Sequence, residues 1–572
     1  MRNADKPAAA GHRRAVWTPT LSGSLLALVF WWQSLTPTLI PRSWGTQTAV
    51  GAICLAIGYA IGTLAGCAGH RLLARWGFSP GSGMRRSSGI AVAAAWLIAL
   101  FVGSTLWLGW QNDQRSFMGM TPITWLDGVL ASVLSPVAAL LMLVLGRLIA
   151  RGVAALQRVI QGYVPSIVAV PATALLIVVI GIALVRGVAV PSFIGSVNFV
   201  HWRANERTTE GTVAPTSPAV SGSSKSFIAW DTLGRMGRDF VATATSTQQL
   251  AKFHGTDATL VDPVRVYVGV RSADSLKQRA EIAVRELERA GGFERKVLVV
   301  WIPTGTGWIV PKAAASLEQL HRGDTAIVAI QYSFLPSRYA IFMDTGLAEE
   351  AGMTLFKAVR ARWAMLPPQR RPKLLLFGKS LGAAGVEAPF VGADASASVA
   401  NMVAATDGVL IAGATQSNPI HAQLTRERER GSPFWQPIFN GGRSVRFLNR
   451  DPHQAVLNAD WPAPRIAYLQ HPSDPAVFWS VSAFWWPPEW MAAPRGFDMP
   501  RAMRWFPIVS GLQAVGDQIH QLGVPPGFGH NYSSQDYVSG WASVLPPDGW
   551  TNADTERLAR FLDGIAGDDS EP

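Results

Sequence analysis

Five apolar runs fill most of the first 190 residues, and each is long enough to cross a bilayer. Nothing else in the chain restricts its fold as strongly. A segment inside a hydrocarbon core about 30 Å thick must pair its backbone groups within helices, because no water is there to do so. The runs cover residues 21–40, 46–68, 89–110, 126–150 and 166–190. They explain a composition of 49% hydrophobic against 15% charged residues, which is unusual for a water-soluble chain. Residues 1–195 are therefore expected to form an α-helical transmembrane bundle of five spans. The rival reading of the first run is a cleaved signal peptide, since it follows Arg2, Lys6, Arg13 and Arg14. Its continuation through Trp31, Trp32 and Gln33, with no small-residue cleavage site after it, favours a retained helix.

Loop charges set the expected orientation. Arg71, Arg75, Arg85 and Arg86 lie between the second and third runs, and Arg147, Arg151 and Arg158 between the fourth and fifth. The other two connections hold only Arg42 and Arg115. Basic loops face the cytoplasm, so the N-terminus is expected inside and, after five spans, the remaining chain outside a plasma membrane. Pro37, Pro136 and Pro171 are tolerable kinks where neighbouring helices satisfy the freed carbonyls. No Asp, Glu or Lys lies deep in a run, which favours an anchor over an ion or proton path. The net charge of +12 is scattered or sits at membrane loops, so no nucleic-acid partner is expected. Cys54 and Cys67, on one helix, would stand about 20 Å apart, beyond disulfide reach. No cofactor and no metal site is expected.

Residues 196–225 read as a linker, flexible where Ser, Thr, Gly and Pro accumulate from 208 onward. Residues 226–572 then alternate short β-branched runs with amphipathic stretches. Strands are expected at 264–270, 296–302, 325–332, 374–377, 409–412 and 465–469, and helices at 275–290, 349–365 and 551–565. This alternation predicts a mostly parallel sheet with helices on both faces, which carries its chemistry at the carboxyl ends of the strands.

Gly378-Lys379-Ser380-Leu381-Gly382 sits at the end of one such strand and opens a small-residue helix. The spacing fits a nucleophile elbow, a strand-to-helix turn so tight that the serine needs small neighbours two positions away on either side. A P-loop is the alternative, but it needs a glycine where Lys373 stands. A serine nucleophile requires a base, and the base an orienting carboxylate, each in a loop after a later strand. Asp474, in His471-Pro472-Ser473-Asp474-Pro475, is the expected acid, with Asp451 in reserve. Of the downstream histidines His421, His453, His471, His520 and His530, the last is the expected base. It lies in the glycine-rich segment Gly527-Phe528-Gly529-His530, where a mobile, exposed imidazole is expected. His520 has helical context and a structural role, and His471 is expected to shape the acid loop. The oxyanion donors are expected at the Leu381 amide and, after the 296–302 strand, at Gly305 or Thr306. Between acid and base lie Phe478, Trp479, Trp485, Trp486, Trp490, Phe497, Trp505 and Phe506, which suit an acyl pocket, a membrane-apposed lid or ordinary core.

These motifs together resemble a family of bacterial, mainly actinobacterial, membrane proteins. The resemblance rests on Pro41-Arg42-Ser43-Trp44, Trp230-Asp231-Thr232-Leu233-Gly234-Arg235, Pro303-Thr304-Gly305-Thr306-Gly307-Trp308, the Ser380 elbow, the Asp474 motif and Gly529-His530-Asn531-Tyr532. It spans nearly the whole chain and implies a multi-spanning N-terminal region followed by an α/β-hydrolase catalytic domain. One departure is Lys379, where many hydrolases of this fold carry an aromatic or acidic residue. A cation there would favour an acidic substrate or point to solvent. The expected activity is a membrane-anchored serine esterase acting through an acyl-enzyme on a lipid or other acyl ester at the cell envelope. Acyl transfer by the same triad, a non-catalytic binding or scaffold role, and transport are the alternatives. The oligomeric state is open.

Overall fold

The computed structural model describes residues 20–76, 82–163, 165, 175–176, 179–337, 339, 346–451, 457 and 459–565. Two compact units emerge. The first comprises residues 1–179 with Val481–Pro488 and Pro500–His520, and the second comprises Ile180–Ser480, Glu489–Met499 and Gln521–Pro572.

The first unit holds α1 (Leu21–Ser34), α2 (Trp44–Arg75), α3 (Ser82–Phe117) and α4 (Trp125–Gln161). A further helix, α5, runs from Val179 to Glu206 and includes a π-helical turn at Val185–Ala189. Among the described residues four helices, Trp44–Leu73, Ser87–Phe117, Trp125–Gln161 and Val179–Glu206, are long and apolar enough to span a membrane. The expectation of five is thus corrected to four. The expected first span, 21–40, yields a helix of only 14 residues, about 21 Å long. It ends at Ser34 because the residue before a proline is driven out of helical conformation, and Pro37 follows closely. Pro136 stands inside α4, and Pro171 lies outside the described residues.

α1 and α2 pack antiparallel through glycines spaced by four. A Cβ at Gly58 would lie 2.7 Å from the Leu26 carbonyl, one at Gly62 2.4 Å from the Ser22 carbonyl, and one at Gly66 2.0 Å from Ser22 Oγ. Small residues at this spacing let helix backbones touch where lipid removes the hydrophobic drive to associate. Trp31 and Trp107 fill the resulting core, while Leu97, Phe101 and Leu141 face outward.

The second unit is built on a seven-stranded, wholly parallel sheet in the order β1-β3-β2-β4-β5-β7-β6. Its strands are β1 (Val264–Val268), β2 (Val297–Ile302), β3 (Thr325–Ile330), β4 (Lys373–Lys379), β5 (Gly408–Ala412), β6 (Val445–Leu448) and β7 (Arg465–Leu469). Every residue of β1, β2, β3 and β5 is buried, as both faces of the sheet are covered. The alternating burial of β6 marks a sheet edge, and its single apolar pair on one face explains why it escapes a sequence reading. At the opposite edge, residues 219–221, expected to be flexible, cover β1. Ser221 donates its N–H to Arg265 O at 3.0 Å, and Ser221 Oγ accepts from the Tyr267 N–H at 3.2 Å. An uncovered strand edge would leave these groups unpaired.

Candidate active site

The sheet brings four loops to one end. β2 lies beside β4 with Ile302 opposite Gly378, β4 beside β5 with Lys379 opposite Ala412, and β5 beside β7 with Ala412 opposite Leu469. The loops that follow carry Gly305, Ser380, Gly413 and Asp474.

Ser380 stands between β4 and the helix Leu381–Glu387 at φ 55°, ψ −120°. A non-glycine residue rarely adopts positive φ, and such strain persists only where the surroundings enforce it. The two flanking glycines show how. A Cβ on Gly378 would stand 2.4 Å from the Gly382 carbonyl, and one on Gly382 2.2 Å from the Ile302 carbonyl. The turn therefore closes only with hydrogen at both positions. Its Ser380 N–H donates to Ala412 O at 2.9 Å.

Asp474 follows β7 and caps the short helix Pro475–Phe478. Its Oδ1 accepts from the Ala476 N–H at 2.9 Å and the Val477 N–H at 3.4 Å. Its Oδ2 accepts from His530 Nδ1 at 2.8 Å and from the Tyr532 hydroxyl at 2.8 Å. Burial pushes this carboxyl up, but the attraction of His530 and the bonds from His530 and Tyr532 outweigh it and hold it below the ordinary value. Burial, together with the same carboxylate, drives the Tyr532 phenol well above its usual range.

His530 is not the mobile imidazole expected from its glycines. It is 3% exposed, its N–H donates to Gln521 O at 3.2 Å, and its loop is closed by Gly527 N–H to Asn531 O at 2.7 Å. The glycines serve the turn itself: Gly527 and Gly529 have φ of 96° and 53°. The ring lies against Gly413, where a Cβ would be 2.5 Å from Cε1. Ser380 and His530 thus both adjoin the Ala412–Gly413 peptide. No hydrogen bond joins them among the described residues, and His530 Nε2 is buried without a partner. The Asp474–His530 contact is closed and the Ser380–His530 contact open, as the corresponding contacts are in many sites before substrate tightens them.

The oxyanion candidates divide similarly. The contact of Gly382 with the Ile302 and Pro303 carbonyls sets the Gly305 loop beside the elbow. The Gly305 N–H, however, donates to Ser337 Oγ at 3.3 Å. Thr306 O accepts from Gln331 Nε2 at 3.0 Å, which fixes that part of the loop. No hydrogen bond to the Leu381 N–H is seen among the described residues.

Other expectations resolve by geometry. Lys379 does not point to solvent. It is buried, with Nζ 5.2 Å from the Trp308 ring centroid and 5.8 Å from that of Tyr532. His471 stacks on Tyr532 with ring centroids 4.4 Å apart. Its Nδ1 lies 2.8 Å from Gly529 O and its Nε2 3.3 Å from Asp536 Oδ2, so both nitrogens face acceptors and the imidazolium is favoured. Burial lowers its pKa but Asp536 raises it further, leaving the net shift upward. His421 is bonded to Gln470 at 2.7 Å, and burial lowers it to about 4. The reserve acid Asp451 takes no part in the His530 bond, and His453 lies outside the described residues. The aromatics separate by unit: Phe478 and Trp490 are buried in the second, whereas Trp485 and Trp486 are exposed in the first. Tyr532, Ser337 and the His471–Asp536 pair were not read from the sequence as site residues. Tyr532, two positions after His530, and His471, in the Asp474 motif, lie in segments the sequence singles out, whereas Ser337 and Asp536 lie in none. Among the described residues no cluster of His, Cys, Asp and Glu suits a metal ion.

Residues 264–558 match the model of the alpha/beta-hydrolase family, and residues 35–244 match the model of that family's N-terminus. No curated protein and no solved structure gives a significant match.

Proposed function

This chain belongs to the alpha/beta-hydrolase family, and we propose that it is a membrane-anchored serine hydrolase acting on a lipid or other acyl ester through an acyl-enzyme. The observation that carries the reading is the buried 2.8 Å bond from His530 Nδ1 to Asp474 Oδ2, at the sheet end where Ser380 is held at positive φ. Ser380 Oγ attacks the ester carbonyl while His530 Nε2 takes its proton. Asp474 fixes the tautomer that leaves Nε2 free to act as base and stabilises the imidazolium that forms. The Leu381 N–H and a donor from the Gly305–Thr306 loop receive the oxyanion, with the Ser337 hydroxyl giving up the Gly305 N–H. Collapse expels the alcohol, which collects the proton from His530. An acceptor hydroxyl then attacks the acyl-enzyme by the reverse route.

That acceptor is water in an esterase and a sugar or glycerol hydroxyl in an acyltransferase. Ser380 is 9% exposed and His530 3%, and burial that restricts the approach of water favours transfer as the second reading. The catalytic unit is assigned to the outer side of a plasma membrane. The basic residues Arg71 and Arg75 end α2, and Arg147, Arg151 and Arg158 sit towards the end of α4. With those ends cytoplasmic, α5 returns the chain to the outside.

Fluorophosphonate labelling tests the chemistry. Wild type is expected to label, and Ser380→Ala and His530→Ala are not. A correctly folded wild type that stays unlabelled would leave a binding or scaffold domain as the reading. Protease shaving of intact cells tests the sidedness, since a cytoplasmic unit would survive it.

A further inference from the structure

The chain between acid and base does not stay in the catalytic unit. It contributes Val481–Pro488 to the membrane unit, returns for Glu489–Met499, contributes Pro500–His520, and returns at Gln521. The second excursion is part of the bundle's own hydrogen bonding. Because α1 stops at Ser34, its last carbonyls lack helical partners, and near a bilayer they must find others. Gln513 Nε2 donates to Ser34 O at 3.1 Å and Thr36 O at 3.0 Å, beside Arg42 Nη2, which donates to the same two carbonyls at 3.2 and 2.6 Å. Asp517 accepts from Thr38 Oγ1 at 2.7 Å and from the Leu39 N–H at 3.2 Å. His520 Nε2 pairs with Thr46 Oγ1, and Val509 packs on Val50 and Cys54. These residues form one face of the helix Val509–Ile519 and its C-terminal cap.

Each end of that excursion holds a neighbour of the acid–base pair. Asp498, two residues before Pro500, accepts from the Ser473 N–H at 3.2 Å and from Ser473 Oγ at 2.6 Å. Ser473 precedes Asp474, and its Oγ accepts from the N–H of Gly529, which precedes His530, at 3.0 Å. Gln521, the first residue after the excursion, accepts the His530 N–H at 3.2 Å. The peptide that supports the base is thus continuous with a helix locked into the membrane unit.

We propose that the membrane unit positions the acid–base pair through the inserted segment Pro500–His520, with Gln513 and Asp517 as positioning residues. This rests on the reading of Asp474 and His530 as that pair. The transmembrane helices then do more than anchor: a bundle that releases Gln513 and Asp517 also releases the chain on which His530 is held.

The test uses the full-length chain in lipid nanodiscs and the variants Asp517→Asn and Gln513→Ala. Asp517→Asn sets an amide donor against the Thr38 and Leu39 donors, while Thr38→Val removes one donor from the other side and serves where Asp517→Asn fails to fold. Amide exchange is expected to rise about tenfold across residues 505–533 while β2 and β4 keep wild-type protection. With a fluorophosphonate, the limiting labelling rate is expected to fall about tenfold at an unchanged half-saturating concentration, as for misplaced catalytic groups and intact binding. A rise in exchange that stops at His520, or one that reaches residue 530 without slowing labelling, would overturn the proposal. An unlabelled wild type would sink the hydrolase reading alone, because exchange still reports whether the two units are coupled.

Discussion

Asp474 in the sheet-bearing unit and Asp517 in the helical unit are both buried aspartates, yet their surroundings push them in opposite directions. Asp517 accepts from Thr38 and Leu39 with Arg42 nearby, but burial dominates and raises it to about 7. Asp474 feels burial as its largest influence too, but His530, Tyr532 and two backbone amides at a helix start converge on its two oxygens, and its pKa falls. A buried carboxylate stays ionised where several donors, one of them a potential cation, are aimed at it. Without that, it drifts toward the neutral acid. The first environment suits an acid that must stabilise an imidazolium, the second one that holds two pieces of chain together.

Replacing each carboxylate by its amide separates these roles most sharply. Asp474→Asn is expected to slow fluorophosphonate labelling about 10³- to 10⁴-fold, since His530 loses its acceptor and takes the wrong tautomer. Asp517→Asn is expected to cost only about tenfold, through position. Equal losses would erase the distinction between them.

Glycine provides the next contrast. Gly382→Ala pushes a methyl toward the Ile302 carbonyl and Gly62→Ala toward the Ser22 carbonyl, both backbone atoms that yield little. Each is expected to destabilise its own unit by about 1–3 kcal/mol. Thermal unfolding followed separately by labelling loss and by tryptophan emission of the bundle reads the two. A Gly382→Ala protein that labels like wild type would mean the elbow does not need its tightness.

Tyr532→Phe is a smaller probe, removing one donor from Asp474 while leaving the ring that stacks on His471. A loss of labelling rate of about tenfold or less is expected, the usual net worth of one hydrogen bond. No change at any pH would mean that the other donors alone hold the carboxylate.

The smallest effect is a difference of sign in stability against pH. Asp517, raised in the folded state, stabilises the fold below its unfolded value near 3.8, and that contribution is lost as pH climbs through about 7. Asp474, lowered in the folded state, contributes above its unfolded value and loses that as pH falls through its folded one. Chemical denaturation between pH 5 and 8 is expected to show a decline with pH that Asp517→Asn reduces, the remainder coming from Glu387 and Asp498, which burial raises to about 7 and about 6.

Much of this was legible in the residues themselves. Most strands of the central sheet are near-continuous apolar runs, broken in β1 by the ion-paired Arg265, and β1, β2, β3, β4, β5 and β7 fall where those runs predict, because a strand buried on both faces must be largely apolar. The Gly378-Lys379-Ser380-Leu381-Gly382 spacing carries its own steric reason, and the order of Ser380, Asp474 and His530 along the chain follows from which loops come after which strands. The length of the first span, the rigidity of the His530 loop and the Tyr532 bond to Asp474 were not legible. Each depends on atoms distant in sequence: Gln513 on the carbonyls ending α1, Gln521 on the His530 amide, Tyr532 on the Asp474 carboxylate. Local pattern determines which segments become helices and strands, since backbone pairing and burial act over a few residues. Only tertiary packing decided that residues 500–520, written between Asp474 and His530, belong with the long apolar helices of the first unit. The side chains of that segment find their hydrogen-bond partners there, and no periodicity in a sequence records where a partner stands.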